Sequence, residues 1–439
     1  MTRLFPTTFR VATVLAAVVV LVGCSKDDIL RPDTPDVIDP NDLNSPQAAP
    51  AVYAGAVSEL QFATTSGSGI VLFSGLFTDE LMHASTPPAV REWDLRSVTT
   101  ANSVAAGAGG PILLLNRART ALELAAAKVA PFFPANDKRV GELWALAGLS
   151  YIYIGETYCS GVPISDRSPE LDYKAPVATN ALFDLAVARL GSAAQSTGGD
   201  ARITNLTAVL RGRALLNQGK FAEAATAVTN VPTAFSYEVF HSTTTPRQVN
   251  QVFLQIASDI YSVSNNEGTN GLNFASAADP RIPTRSTGPS RNDGVTPMVL
   301  YTKFTGQADP VPLVTGVEAR LIEAEAALQA SNPTGWLAKL NEARASLTGL
   351  TPLTDPGTAA ARVDLTFRER AFWLYLTGHR LGDLRRLVRQ YNRGIETVYP
   401  TAAYHKQGLV RGTQATLIVP INEENNANYT AADCKVGQA

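Results

Sequence analysis

The sequence predicts a mainly α fold, and three observations carry that expectation. Long stretches repeat apolar residues at helical spacing, helices recur in adjacent pairs, and one region alone, about 231–314, is dominated by turn-forming residues. Ser45 to Phe62 opens with a Ser and a Pro suited to a helix start and then runs Ala-rich with an apolar stripe. Within 101–130, Leu113, Leu114, Ala118, Leu122, Leu124 and Ala125 fall at helical spacing. Asn136-Asp137 can cap a helix from Lys138 to about Tyr158. That helix is apolar nearly all round (Leu143, Trp144, Leu146, Leu149, Tyr151, Ile152, Ile154), the pattern of a helix buried against several others. Gly161-Val162-Pro163 stops it.

Helix pairs follow. Asn180 to Leu190, Leu206 to Gln218 and Phe221 to Val228 come first, then Val317 to Ala330, Gly335 to Leu347 and Leu365 to Tyr391. Two runs, Arg213 to Ala224 and Glu318 to Leu328, resemble tetratricopeptide units, whose small alanines let helices approach closely. The period is not strict, so a degenerate array is expected. Between the pairs, 231–314 is rich in Thr, Ser, Asn, Gly and Pro, with short strand-like runs such as Val252 to Ile256. Its aromatics argue for order, and an ordered irregular insertion is where a ligand surface is expected.

The N-terminus carries an address. Arg3 and Arg10 flank a region without acids, Val11 to Leu21 is apolar, and Val22-Gly23-Cys24 follows. This is the anatomy of a secretory signal, with an apolar run too short to span a bilayer comfortably. Leu21-Val22-Gly23-Cys24 resembles the lipobox of bacterial lipoproteins, which implies cleavage after residue 23 and acylation, palmitate included, of Cys24. Several chains on one cysteine anchor durably where one does not. Residues 24–45, rich in Pro and Asp, read as a solvated tether, and 46–439 as a single domain. Ser25-Lys26-Asp27-Asp28 resembles a surface-export signal of Bacteroidetes-type lipoproteins. Without residues 1–23 the chain keeps 35 basic against 39 acidic side chains, with no basic run interleaved with aromatics, so nucleic acid is not an expected partner.

Two further cysteines, Cys159 and Cys434, leave two readings open outside the cytoplasm: a disulfide tying the C-terminal tail to the helix ending near Tyr158, or two separate thiols. Catalytic chemistry has little to work with. His83, His241, His379 and His405 lack metal-ligand spacing, and no nucleophile elbow, phosphate loop or CxxC occurs, so no metal, cofactor or enzyme activity is expected.

The densest motif is Arg368-Glu369-Arg370-Ala371-Phe372-Trp373-Leu374-Tyr375-Leu376-Thr377-Gly378-His379-Arg380-Leu381-Gly382-Asp383-Leu384-Arg385-Arg386. From the residues alone it is a long helix with a Gly-containing irregularity, its charges pairing at one-turn spacing. The run also resembles the "ERRLELAFEGHRxxDLRR" signature of the SusD/RagB family of outer-membrane nutrient-binding lipoproteins. Further matches follow in order: Asp39 to Leu43 with Ala48 to Ala56, Gly141 to Pro163, Asp279-Pro280-Arg281, Val317 to Leu328, and Leu417 to Ile421 with Glu423 and Asn428-Tyr429. Thr377 departs from the family pattern, which has an acid before the glycine.

The resemblance implies a SusD-like helical fold with four tetratricopeptide-like pairs supporting an irregular binding half. It further implies a cell-surface, outer-membrane protein that captures a glycan or other polymer-derived nutrient. A SusC-like TonB-dependent transporter would be its partner. Sugar binders stack planar aromatics on pyranose faces, which makes Trp93, Tyr237, Tyr261 and Tyr301, in polar surroundings, the candidate ligand contacts, with Asp79 and Glu80 as polar candidates. Two other functions fit the sequence: a tetratricopeptide-type adaptor that binds another protein, and a lipid-anchored hydrolase using carboxylates assembled in space.

Overall fold

The computed structural model describes residues 44–167 and 171–439. The signal segment, Cys24 and the tether as far as residue 43 lie outside the described residues.

The N-terminal half is helical. Pro50 starts α1 (Ala49–Thr65), followed by the fully buried α2 (Ile70–Phe77), the short strand β1 (Leu81–His83) and α3 (Pro88–Asp94). The helix expected within 101–130 begins only at Pro111, as α4 (Pro111–Val129), because Gly109-Gly110 ahead of it favours a turn. Asp137 caps α5 (Lys138–Thr157), its carboxylate accepting from the backbone N–H of Arg139 at 2.8 Å. The all-round apolar pattern of α5 has the expected result: every residue from Val140 to Thr157 except Trp144 is buried. It packs between α4 on one side and α6 (Thr179–Ala194) on the other. The approach to α6 needs glycine, since a Cβ on Gly148 would lie 2.9 Å from Leu190 Cγ.

Two small ribbons separate α5 from α6, pairing β2 (Val162–Pro163) with β5 (Pro176–Val177) and β3 (Asp166–Arg167) with β4 (Leu171–Asp172). Helix pairs then continue through α7 (Ala201–Asn217) and α8 (Phe221–Val228). Region 231–314 follows as β6 (Ser236–Val239), α9 (Gln251–Ala257), β7 (Tyr261–Val263), β8 (Thr284–Pro289), β9 (Pro297–Tyr301) and β10 (Val311–Thr315). The strand-like run Val252 to Ile256 is helical instead. Asn250 accepts from the N–H of Phe253 at 3.0 Å, and that cap outweighs the β-branched residues. The region is knitted into the scaffold: β7 pairs antiparallel with β1, and β10 with β6.

The C-terminal part contains α10 (Gly316–Gln329), α11 (Pro333–Ala345), α12 (Ala359–Trp373), α13 (Arg380–Tyr391) and α14 (Ile395–Val398). A second small core of Leu321, Trp336, Leu340 and Leu374 seals α10 to α11 and α12, with the Trp336 indole N–H donating to Thr366 at 2.7 Å. The expected long helix from Leu365 to Tyr391 is two helices. Leu376 and Gly378 take φ of 52° and 78°, and a Cβ on Gly378 would sit 2.7 Å from Tyr153 Cε1, so the chain turns where the glycine alone fits against α5. Beyond the helices, a disulfide joins Cys159 at the end of α5 to Cys434 in the tail, with Cα atoms 5.3 Å apart.

The charges of the dense motif are buried rather than spread along a solvated face. Asp383 accepts from Arg370 at 2.9 Å and Arg386 at 2.8 Å. Arg386 also pairs with Glu325, Glu369 holds Arg281 and Arg344 at 2.8 Å each, and His379 meets Glu318 at 3.0 Å. One-turn pairing within the helix accounts for Asp383–Arg386 only. Arg370 and Asp383 pair between α12 and α13, and the other partners come from α10, α11 and the 279–281 turn, which sequence spacing does not reveal.

Candidate functional site

An open cleft of about 800 Å³ lies among the elements of the 231–314 region and the loop that follows α14. The edge of the β1–β7 pair supplies Met82 and Val263, the β8–β9 hairpin supplies Ser286, Pro297 and Val299, and the turn-rich run Asn265 to Thr269 forms a wall. The loop Ala402 to His405 completes the lining. Backbone bonds hold these pieces in register: Thr269 N–H donates to Thr401 C=O at 3.1 Å, and the Ser262 hydroxyl joins β7 to Pro297 and Val299 of β9.

Beneath the cleft lies a buried polar cluster that fixes the 402–411 loop. Glu267 accepts from Arg411 and faces His405 Nδ1 at 3.4 Å. Asp94 accepts from Arg411 at 3.1 Å, from the Tyr404 hydroxyl at 2.9 Å and from the His83 N–H at 2.6 Å. The Lys406 ammonium donates to His83 C=O, Ser85 C=O and Asp293. Burial raises the Asp94 carboxyl, whereas His405 and Arg411 hold that of Glu267 below its usual range. Burial, reinforced by Lys406, pushes the His83 imidazole down to about 3, and neither of its ring nitrogens has a hydrogen-bond partner among the described residues.

The exposed polar groups of the cleft are different in kind. Asn265 uses its carbonyl to hold Ser276, and its amide NH₂ makes no hydrogen bond among the described residues. The side chains of Asn266, Thr269 and Ser286 are exposed and make no hydrogen bond among the described residues. The cleft therefore offers uncharged donors and acceptors over an aliphatic floor. Its one lining carboxylate, Glu267, is neutralised from behind by Arg411.

None of the six ligand contacts expected from sequence lines this cleft, and each is buried in the fold. Trp93 lies on α3 with no exposure, edge-on to Phe73 at 4.6 Å, and its N–H donates to Asn102 at 3.4 Å. Tyr237 is buried under the Arg202 guanidinium and donates to Glu142 at 2.7 Å. Tyr261 is buried on β7, and Tyr301 packs edge-on against Tyr375 at 5.2 Å. A stacking platform needs an accessible ring face, which these four lack. Asp79 is spent on a bidentate pair with Arg380 at 2.7 and 2.9 Å.

Glu80 is buried too, one oxygen accepting from Leu376 N–H at 2.9 Å and the other without a hydrogen-bond partner among the described residues. Burial pushes its carboxyl up to about 8. The unfolded chain ionises this group near 4.5 while the folded chain keeps the proton, so stability falls as pH rises between those values. Glu80→Gln should remove this dependence. Melting curves are expected to show a gain of a few kcal/mol over the parent at pH 8.5 that shrinks towards pH 5. A pH-independent difference would refute the assignment.

Sequence reasoning placed the ligand surface in 231–314, and one wall of the cleft does come from there. It missed the individual residues Asn265, Asn266, Thr269, Ser286, Tyr404 and His405. The run Ser-Asn-Asn-Glu-Gly-Thr-Asn-Gly at 264–271 was the available signal, dense in turn formers and in uncharged amides and hydroxyls.

Solved structures share this architecture. A SusD-like protein from Bacteroides fragilis matches with a TM-score of 0.65 and 12% identity, over 93% of this chain and 100% of its own. A SusD superfamily protein from Bacteroides vulgatus matches with a TM-score of 0.65 and 15% identity, over 88% and 99%. A SusD-like carbohydrate binding protein from Bacteroides vulgatus matches with a TM-score of 0.57 and 14% identity, over 77% and 83%. The chain has the SusD-like fold. No protein-family model and no curated protein matches the sequence.

Proposed function

We propose that this chain is a lipid-anchored binding protein of the outer membrane, exposed at the cell surface, that captures a glycan in the cleft without breaking a bond. It then passes the ligand to a SusC-like TonB-dependent transporter. One observation carries the reading: the cleft's free polar groups, Asn265, Asn266, Thr269 and Ser286, are uncharged amides and hydroxyls set over aliphatic side chains. Such a surface matches a neutral sugar, with hydroxyls to pair and apolar C–H faces to cover. The fold shared with a SusD-like carbohydrate binding protein supports it. The lipobox-like Leu21 to Cys24 supports the anchor.

Calorimetric titration with a panel of neutral oligosaccharides tests capture. Thr269→Val combined with Ser286→Ala should weaken binding by roughly 5-fold to 150-fold with an unchanged melting temperature, since each of the two lost hydrogen bonds contributes about 0.5–1.5 kcal/mol. Failure of every neutral oligosaccharide to bind would overturn the reading. Release of shortened products would replace it with a hydrolase, and membrane extraction that yields no large barrel partner would remove the transporter.

A further inference from the structure

Adjacent residues of the 265–272 loop line different cavities. Thr269 belongs to the cleft, whereas Asn270 and Leu272 line a second cavity of about 350 Å³, bounded by α12, α13 and α14. Its character is opposite. Leu272, Phe367, Leu384 and Val398 make an apolar wall, and three guanidinium groups, of Arg368, Arg380 and Arg393, stand against a single lining carboxylate, Asp364.

The charges do not cancel. Asp364, itself largely exposed, accepts from one nitrogen of Arg393 at 2.8 Å. Arg380 is 5% exposed; Asp79 behind it takes Nε and Nη2, and Nη1 makes no hydrogen bond. Arg368 has no hydrogen bond or ion pair among the described residues and rests on the Phe372 ring at 4.5 Å. A half-buried guanidinium beside an apolar wall carries a desolvation cost that an anion would offset. Arg393 also donates through Nη2 to Ala360 C=O at 3.3 Å, so Arg368 and the remaining nitrogens of Arg393 and Arg380 are the unengaged groups. These are donors only, which suits a carboxylate fork and serves poorly a sugar that needs acceptors as well.

We propose that this second cavity binds a small organic carboxylate with a largely apolar body. The carboxylate would sit between Arg368 and Arg393, and the body against Phe367, Leu384 and Val398. The volume lies within the range of small-molecule pockets. This inference is independent of glycan capture in the cleft, and either can fail without the other. Two sources share the chemistry, acyl-chain acids and aromatic acids.

The test titrates the full chain with octanoate and with 3-phenylpropanoate, each against its neutral alcohol, octanol or 3-phenylpropanol. Saturable binding of an acid, at least roughly tenfold tighter than its alcohol, is expected. Octanoate alone would assign the acyl class and 3-phenylpropanoate alone the aromatic class. Arg368→Gln with Arg393→Gln should lose roughly tenfold or more in affinity for the acid and leave oligosaccharide binding in the cleft unchanged. Acids that do not bind, alcohols that match them, or a folded double variant that keeps full affinity would overturn the proposal. The acid–alcohol comparison on the unaltered chain decides the question even if that variant does not fold.

Discussion

Asp383→Ala should destabilise the protein by about 3–5 kcal/mol, the cost of stranding buried charge. Asp383 is 3% exposed and is the shared acceptor for Arg370 and Arg386, whose guanidinium groups hold its carboxyl far below the usual range. Without it, both cations stay in a site sealed from water. Glu325 remains as a counter-ion for Arg386, but Arg370 reaches it only at 3.9 Å. Asp383→Asn keeps the shape and an acceptor and should lie between the variant and the parent. Urea unfolding at neutral pH measures the difference. A loss below about 1 kcal/mol for the alanine variant would mean that the network is solvated and behaves as a surface ion pair. Because the folded carboxyl titrates below its unfolded value, the contribution is present at neutral pH and is lost as the solution is acidified below the ordinary carboxylate range.

Opening the disulfide is the second large effect. Cys159 and Cys434 are 275 residues apart, so the bond restrains a long loop of the unfolded chain, and such bonds typically contribute about 2–4 kcal/mol. Cys434→Ser is expected to lower the thermal midpoint, and a reductant should bring the parent to the same value. The tail beyond the bond is also held by Ala415 N–H and Thr416 N–H, which both donate to Val436 C=O, so local fraying should precede global unfolding. Hydrogen exchange at Ala415 and Thr416 reports it. Identical midpoints with and without reductant would show that the backbone bonds alone hold the tail.

Helices were legible in the sequence because their signal is local. The stripes of α4 and α5 and the alanine crossings of α7, α8 and α10 are set by residues three and four apart, and the paired architecture follows from them. A Gly-containing irregularity at Gly378 was legible, but not that it divides the helix in two. Its cause is the ring of Tyr153, more than two hundred positions away, against which Gly378 must fit. The same distance problem hides the burial of the expected ligand contacts. Trp93, Tyr237 and Tyr301 sit among polar neighbours in sequence, yet Phe73, Glu142 and Tyr375 cover them in space. The cleft draws on residues 82, 263–276, 286–299 and 402–405, and no window of sequence contains all four.

That long reach has a kinetic consequence. Asp79 meets Arg380 across 301 positions, and the bridge from Tyr158 to Leu417 spans a comparable length. β1 finds β7 only after some 180 residues have passed between them. Closure entropy must be paid before any of these pairings stabilises the chain, so folding should be slow and limited by the last segment to arrive. A chain that emerges N-terminus first can pack α1 on α4 early, whereas Asp79, just after α2, stays an unpaired acid until Arg380 of α13 arrives.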